Sequence, residues 1–168
     1  LIHASVLIFC ANFGLPAHVF QAYVGIRGRW MVVHFSTRTA HLHEAAPHLF
    51  FGDLAAGHGF LAEGAVVHAC KDPCHKHAVG YVKQLDSAHP YYLCREQGAH
   101  LYLNMIDPPV PLFRPETFQR FFAFVDAHIT QRPVMIHCNQ GQSRAPSLAL
   151  LYMAKRMQLL PDTDYRAA

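Results

Sequence analysis

The chain has 168 residues, 52% of them hydrophobic and 15% charged, a balance that builds a domain with a buried core and excludes a disordered or fibrous chain. Its net charge of +3 is small and no Lys/Arg run interleaved with aromatics occurs, so no nucleic-acid partner is expected. The five cysteines, Cys10, Cys70, Cys74, Cys94 and Cys138, lack the dense spacing of a disulfide scaffold. A reducing, cytoplasmic setting fits them better.

Residues 1–45 read as an N-terminal extension of uncertain structure. Its apolar run Ala4–Ala11 is far shorter than the roughly 20 residues a membrane span needs, and no basic stretch precedes it to make a signal peptide. Trp30–Phe35 reads as a strand. Further on, Ala65–Ala69 is a strand and Pro90–Gln97 a short helix, with Pro near its start and Gly98 just beyond its end. His100–Asn104 is the next strand. Pro115 opens the clearest helix, with Phe118, Phe121, Phe122, Val125 and Ile129 at helical spacing, and Arg132-Pro133 ends it. Val134–Ile136 is a buried strand and Ala145–Met157 a helix. Strand, helix, strand and helix in succession imply α/β architecture with parallel strands, and loops of functional interest at the strands' C-terminal ends. Position 1 is Leu, and the chain stops at Asp162–Ala168 where another helix is starting, so the sequence reads as a fragment truncated at its C-terminus.

His68, Cys70, Cys74, His75 and His77 crowd into a short stretch, and thiolates with imidazoles are what zinc prefers. Against a site there, strand alternation would splay the ligands, and a chain with 14 His makes such clusters by composition. No metal is assigned on the sequence.

The most informative segment is His137-Cys138-Asn139-Gln140-Gly141-Gln142-Ser143-Arg144. It joins a predicted strand to a predicted helix, where backbone N–H groups and the positive end of a helix dipole converge on an anion. A thiol at a helix N-terminus beside a guanidinium reaches its nucleophilic thiolate form more readily than a free one. Gly141 suits a position needing φ > 0, and the planar fork of Arg144 can grip two phosphoryl oxygens at once. His137 belongs to the cradle, although alternation turns its side chain away from Cys138. Upstream, Asp107 heads the proline-rich loop Asp107-Pro108-Pro109; Asp before Pro also starts ordinary turns.

HC-x5-R between strand and helix resembles the signature of the cysteine-dependent protein tyrosine phosphatase superfamily, in particular its dual-specificity branch. The resemblance implies a three-layer α/β fold, a central mainly parallel sheet flanked by helices, over residues 46–168, entered by the strand His48–Asp53. It makes Cys138 the nucleophile and Arg144 and loop residues 137–143 the phosphate cradle. Asp107 lies at the spacing of that branch's general acid. Phosphotyrosine, with phosphoserine or phosphothreonine as the further substrates of that branch, in a phosphorylated protein or peptide would be hydrolysed through a cysteinyl-phosphate, with no cofactor. Members also keep a second cysteine as a redox partner of the nucleophile, and Cys70 is its counterpart, with a small buried hydrophobe as the alternative.

Asn139, Gln140, Gln142 and Ser143 are uncharged, whereas phosphoinositide phosphatases tend to carry lysines there, so a lipid substrate is the weaker alternative. A catalytically weak or inactive phosphate-binding pseudophosphatase is the other, because Ala145 replaces the Ser or Thr that usually follows the arginine. Sulfur-transferase and arsenate-reductase readings are minor: Asp107 argues against the first, and the late position of the loop against the second.

Overall fold

The computed structural model describes residues 41–60, 64–107 and 113–160, together with the backbone of two strands nearer the N-terminus. The chain divides into two units, Leu1–Thr39 and Ala40–Ala168. In the first, β1 (Val19–Ile26) pairs antiparallel with β2 (Arg29–Ser36), from Val19 opposite Ser36 to Ile26 opposite Arg29. β2 contains the strand expected at Trp30–Phe35, and β1 is its partner. The runs Ala4–Ala11 and Asp162–Ala168 lie outside the described residues.

The second unit holds a six-stranded sheet in the order β3 (Leu42–Ala46), β4 (Leu49–Gly52), β8 (Val134–His137), β5 (Ala65–His68), β7 (His100–Leu103), β6 (Cys94–Gln97). The four inner strands run parallel, and an antiparallel strand closes each edge. The mainly parallel α/β sheet read from the sequence is therefore present. Helices α1 (Leu54–Gly59), α2 (Lys76–Val79), α3 (Pro115–His128) and α4 (Arg144–Lys155) accompany it. β3 also shows that residues 42–45, assigned to the extension on sequence, belong to this sheet.

Every residue of β5 and β8 is buried, as strands covered on both faces must be. Their alternation sorts the core. Val66 and Met135 pack with Ala56 of α1 and with Phe50 and Phe60, while Val67, Val134 and Ile136 pack with Phe121 and Val125 of α3 and Leu148 and Ala149 of α4. Burying a side chain such as Phe121, fully enclosed here, contributes roughly 1.5–3 kcal/mol. Pro115 sits in the first turn of α3, where its missing N–H costs no helical hydrogen bond. Tyr152 of α4 donates to Asp126 of α3 at 2.8 Å, and Arg156 donates to the same carboxylate at 3.1 Å.

One expected element is wrong. Pro90–Gln97 is not a helix: its second half is β6, paired with β7 from Cys94 opposite Leu103 to Gln97 opposite His100. Gly98, at φ 59°, is not the stop of a helix but part of the two-residue turn of a hairpin, where positive φ suits the twist of the strands. Among the described residues, no helix is long and apolar enough to cross a membrane.

The register brings three strand ends level: His137 of β8 lies beside Gly52 of β4 on one side and His68 of β5 on the other. Whatever follows β8 is thus framed by the residues that leave β4 and β5.

Candidate active site

Cys138 is the first residue beyond β8. Its N–H donates to the carbonyl of Gly52 at 3.3 Å, and it is only 2% exposed. Six positions later α4 begins at Arg144, so the loop has the strand-to-helix setting that suits an anion. The N–H groups of Asn139 through Ser143 donate to no backbone carbonyl among the described residues. Asn139, Gln140, Gln142 and Ser143 are exposed, and their uncharged side chains surround the loop.

Gly141 is required twice over. Its φ is 73°, and a Cβ there would lie 2.7 Å from the carbonyl carbon of Gly52 and 2.8 Å from the nitrogen of Asp53. The loop therefore lies directly on the junction of β4 and α1. Asp53 holds that junction by accepting from the N–H of Ala56 at 2.8 Å, capping α1.

Arg144 is fixed on all sides. Its Nη1 donates to the carbonyls of Ala69 at 2.7 Å and Met105 at 3.0 Å, and its Nη2 to Oδ1 of Asn139 at 2.8 Å. The remaining edge holds Asp107: Nε and Nη2 both reach its Oδ2, at 3.0 and 2.9 Å. Ser143 donates to the other carboxylate oxygen at 3.0 Å. A carboxylate thus occupies the edge with which a guanidinium grips two oxygens of an oxyanion. Asn139 in turn donates to the carbonyl of Asp72 at 2.9 Å, tying the loop to the segment after β5. Beside the Asp107–Arg144 pair runs a groove of about 560 Å³ lined by Ile106, Phe113, Phe118, Leu148 and Leu151.

The structure therefore brings together Cys138's loop, Arg144 and Asp107. His137 stands apart from them. It is fully buried on the α1 side of the sheet, so close to Gly57 that a Cβ there would lie 2.2 Å from its ring. It has no access to a substrate in the loop, and its place among the substrate-binding residues is corrected to one beneath them. Its Nε2 pairs with Nδ1 of His68 at 2.7 Å, and His68 Nε2 pairs with Nδ1 of His100 at 3.0 Å. Burial is the main cause that pushes His68 down to about 2 and His137 down to about 4, so both imidazoles are neutral at physiological pH.

Cys70 is a free, buried thiol just beyond the end of β5. The backbone continues the β5–β8 register with Ala69 donating to His137, which sets Ala69, not Cys70, beside Cys138. Ala69 and Cys138 join the core on the α3–α4 side. The side chain of Cys70 instead shares a hydrogen bond with Cys74, which together with burial raises its thiol, while that bond and the charge of Arg144 lower Cys74. His75, also fully buried, is engaged by the Tyr81 hydroxyl at 3.0 Å and the Tyr91 carbonyl at 2.9 Å. The contact of His68 with His137 escaped the sequence reading because 69 positions separate them; only the parallel register makes them neighbours. No family model, curated protein or solved structure matches the chain.

Proposed function

We propose that this chain is a cysteine-dependent protein phosphatase of the dual-specificity type, with the three-layer fold of that group, hydrolysing phosphotyrosine, and phosphoserine or phosphothreonine where they fit, in phosphorylated proteins. The observation that carries the reading is the grip of Arg144 on a carboxylate at the head of the Cys138 loop. An anion with two oxygens is already held where a phosphoryl group would be held.

In the reaction, phosphoryl oxygens take the Nε and Nη2 donors of Arg144 and the loop amides, and Asp107 moves off the guanidinium. The Cys138 thiolate attacks phosphorus in line with the leaving oxygen. As the P–O bond breaks, Asp107 in its acid form donates its proton to that oxygen, which leaves as an alcohol or phenol. Water then attacks the cysteinyl-phosphate and gives a proton to the Asp107 carboxylate. The S–P bond breaks, phosphate departs and the thiolate is restored. The groove beside Asp107 supports a leaving group with an apolar body, such as the ring of a tyrosine, and the uncharged loop favours this over a polyanionic headgroup.

One observation favours a second reading, a phosphate-binding pseudophosphatase: in this structure Cys138 is shut from solvent and the donors of Arg144 are engaged by the protein itself. Aryl-phosphate turnover decides between them. Phosphate release by the native chain, absent from Cys138→Ser, supports catalysis; oxyanion binding without release supports the pseudoenzyme.

A further inference from the structure

A second constellation lies behind the loop, on the opposite face of the sheet from Cys138. His68 ends β5, His137 ends β8, and Cys74 lies in the turn Lys71–His75 that leads into α2. All three are buried, and one ligand atom from each falls within 4.8 Å of the others. Only Cys74 and His68 come from the dense His/Cys stretch of the sequence. The third member comes from β8; His75 has other partners, and Cys70 stands behind the set, sharing a hydrogen bond with Cys74.

We infer that His68, Cys74 and His137 form a binding site for a divalent metal of the zinc class. The donor set is two imidazoles and a thiolate, which zinc favours over magnesium or calcium. Bonds of about 2.0 Å to nitrogen and about 2.3 Å to sulfur set tetrahedral ligand atoms roughly 3.3–3.8 Å apart. Three atoms already within 4.8 Å need only small side-chain rotations to reach that spacing. His68 and His137 approach each other more closely, at 2.7 Å, because one ring donates its N–H to the other; metal entering between them requires that proton to pass to the donor ring's other nitrogen, leaving both rings neutral, and lets the rings part. His100, paired with the other nitrogen of His68, then serves as the outer partner that orients a metal-bound imidazole.

Access is provided. A cavity of about 520 Å³ opens on His68 and Cys74 and is also lined by His58, His77 and His100. It gives metal a way in and leaves the fourth position to water or to His58 or His77. Binding at this site joins the ends of β5 and β8 to the segment carrying Asp72, whose carbonyl holds Asn139 of the loop. The site does not depend on the phosphatase reading.

Cobalt(II) and zinc titrations of the reduced chain test it. Cobalt should give a sulfur-to-metal charge-transfer band for one thiolate, displaced by one equivalent of zinc. The band and tight zinc binding should persist in Cys138→Ser, and affinity should fall at least about a hundredfold in Cys74→Ser. Should Cys74→Ser fold poorly, His77→Ala and the native chain still decide: zinc bound at this site raises the native melting temperature, and the His77 variant keeps the thiolate band. Binding lost in Cys138→Ser but kept in Cys74→Ser would place the metal at the catalytic loop, and absence of any thiolate band in the native chain would remove the site.

Discussion

Asp107 holds two roles that one substitution separates. Paired with Arg144 it competes with any oxyanion for the Nε and Nη2 donors; as the proposed acid it protonates the leaving group. In Asp107→Ala the competitor is gone. Asp107 is 53% exposed although Arg144 is only 10% exposed, so the pair is worth no more than the ~0.2–1 kcal/mol typical of solvent-facing ion pairs. Binding of vanadate or phosphate should tighten accordingly, by at most about fivefold, since ~1.4 kcal/mol is a factor of ten. Turnover should move the other way. Loss of a positioned acid costs about a hundredfold to ten-thousandfold for an alkyl phosphate, and much less for an aryl phosphate whose departing oxygen is already acidic. Calorimetric titration of the oxyanion and steady-state rates on both substrates read the two effects on one protein. An alkyl-phosphate rate left intact would refute the acid role, and weaker oxyanion binding would refute the competition.

Cys138→Ser should abolish turnover and keep oxyanion binding, whereas Arg144→Lys should weaken both, because an ammonium cannot reproduce the two-donor edge; rates and calorimetry check this. Gly141→Ala should distort the loop, costing at least ~1–3 kcal/mol for the positive φ before its contact with Gly52 and Asp53, read by denaturant unfolding and loss of activity. Ala145 is fully buried in the core beside the loop; if a hydroxyl there speeds breakdown of the cysteinyl-phosphate, the native chain shows a burst of phenol followed by slow turnover, and Ala145→Ser quickens the slow phase. In the metal-free chain, His68 and His137 lie below the ordinary histidine value, so the unfolded chain binds protons that the folded one refuses. The stability they contribute is present above pH ~6.5 and declines as pH falls toward about 4, by up to ~1.4 kcal/mol per pH unit for each. Thermal melting between pH 7 and 5 reads that slope, and a flat profile contradicts it.

The elements visible in the sequence are those whose burial leaves a periodic trace. The fully buried runs of β5 and β8 and the phenylalanine stripe of α3 declare themselves because core packing demands them. β3 and β6 do not: they are edge strands with exposed faces, and Pro90 with Gly98 imitates the punctuation of a helix where the chain makes a turn and a hairpin. α1 is six residues long with two glycines, and only Asp53 at its head signals it. At the site, Cys138, Gly141 and Arg144 are legible because they sit close in sequence and each answers a local need. The ion pair of Asp107 with Arg144 and the contact of His68 with His137 arise from chain crossings and strand register, which spacing does not encode. Gly57 carries no local mark either, although the His137 ring lies where its side chain would be.

Rapid quenching of the native chain during aryl-phosphate turnover, followed by peptide mapping, tests the central claim most directly. The mechanism predicts one phosphoryl group bonded to the sulfur of Cys138, accumulating before steady state and absent from Cys138→Ser. Phosphate release with no phosphocysteine, or with equal rates in Cys138→Ser, would contradict it.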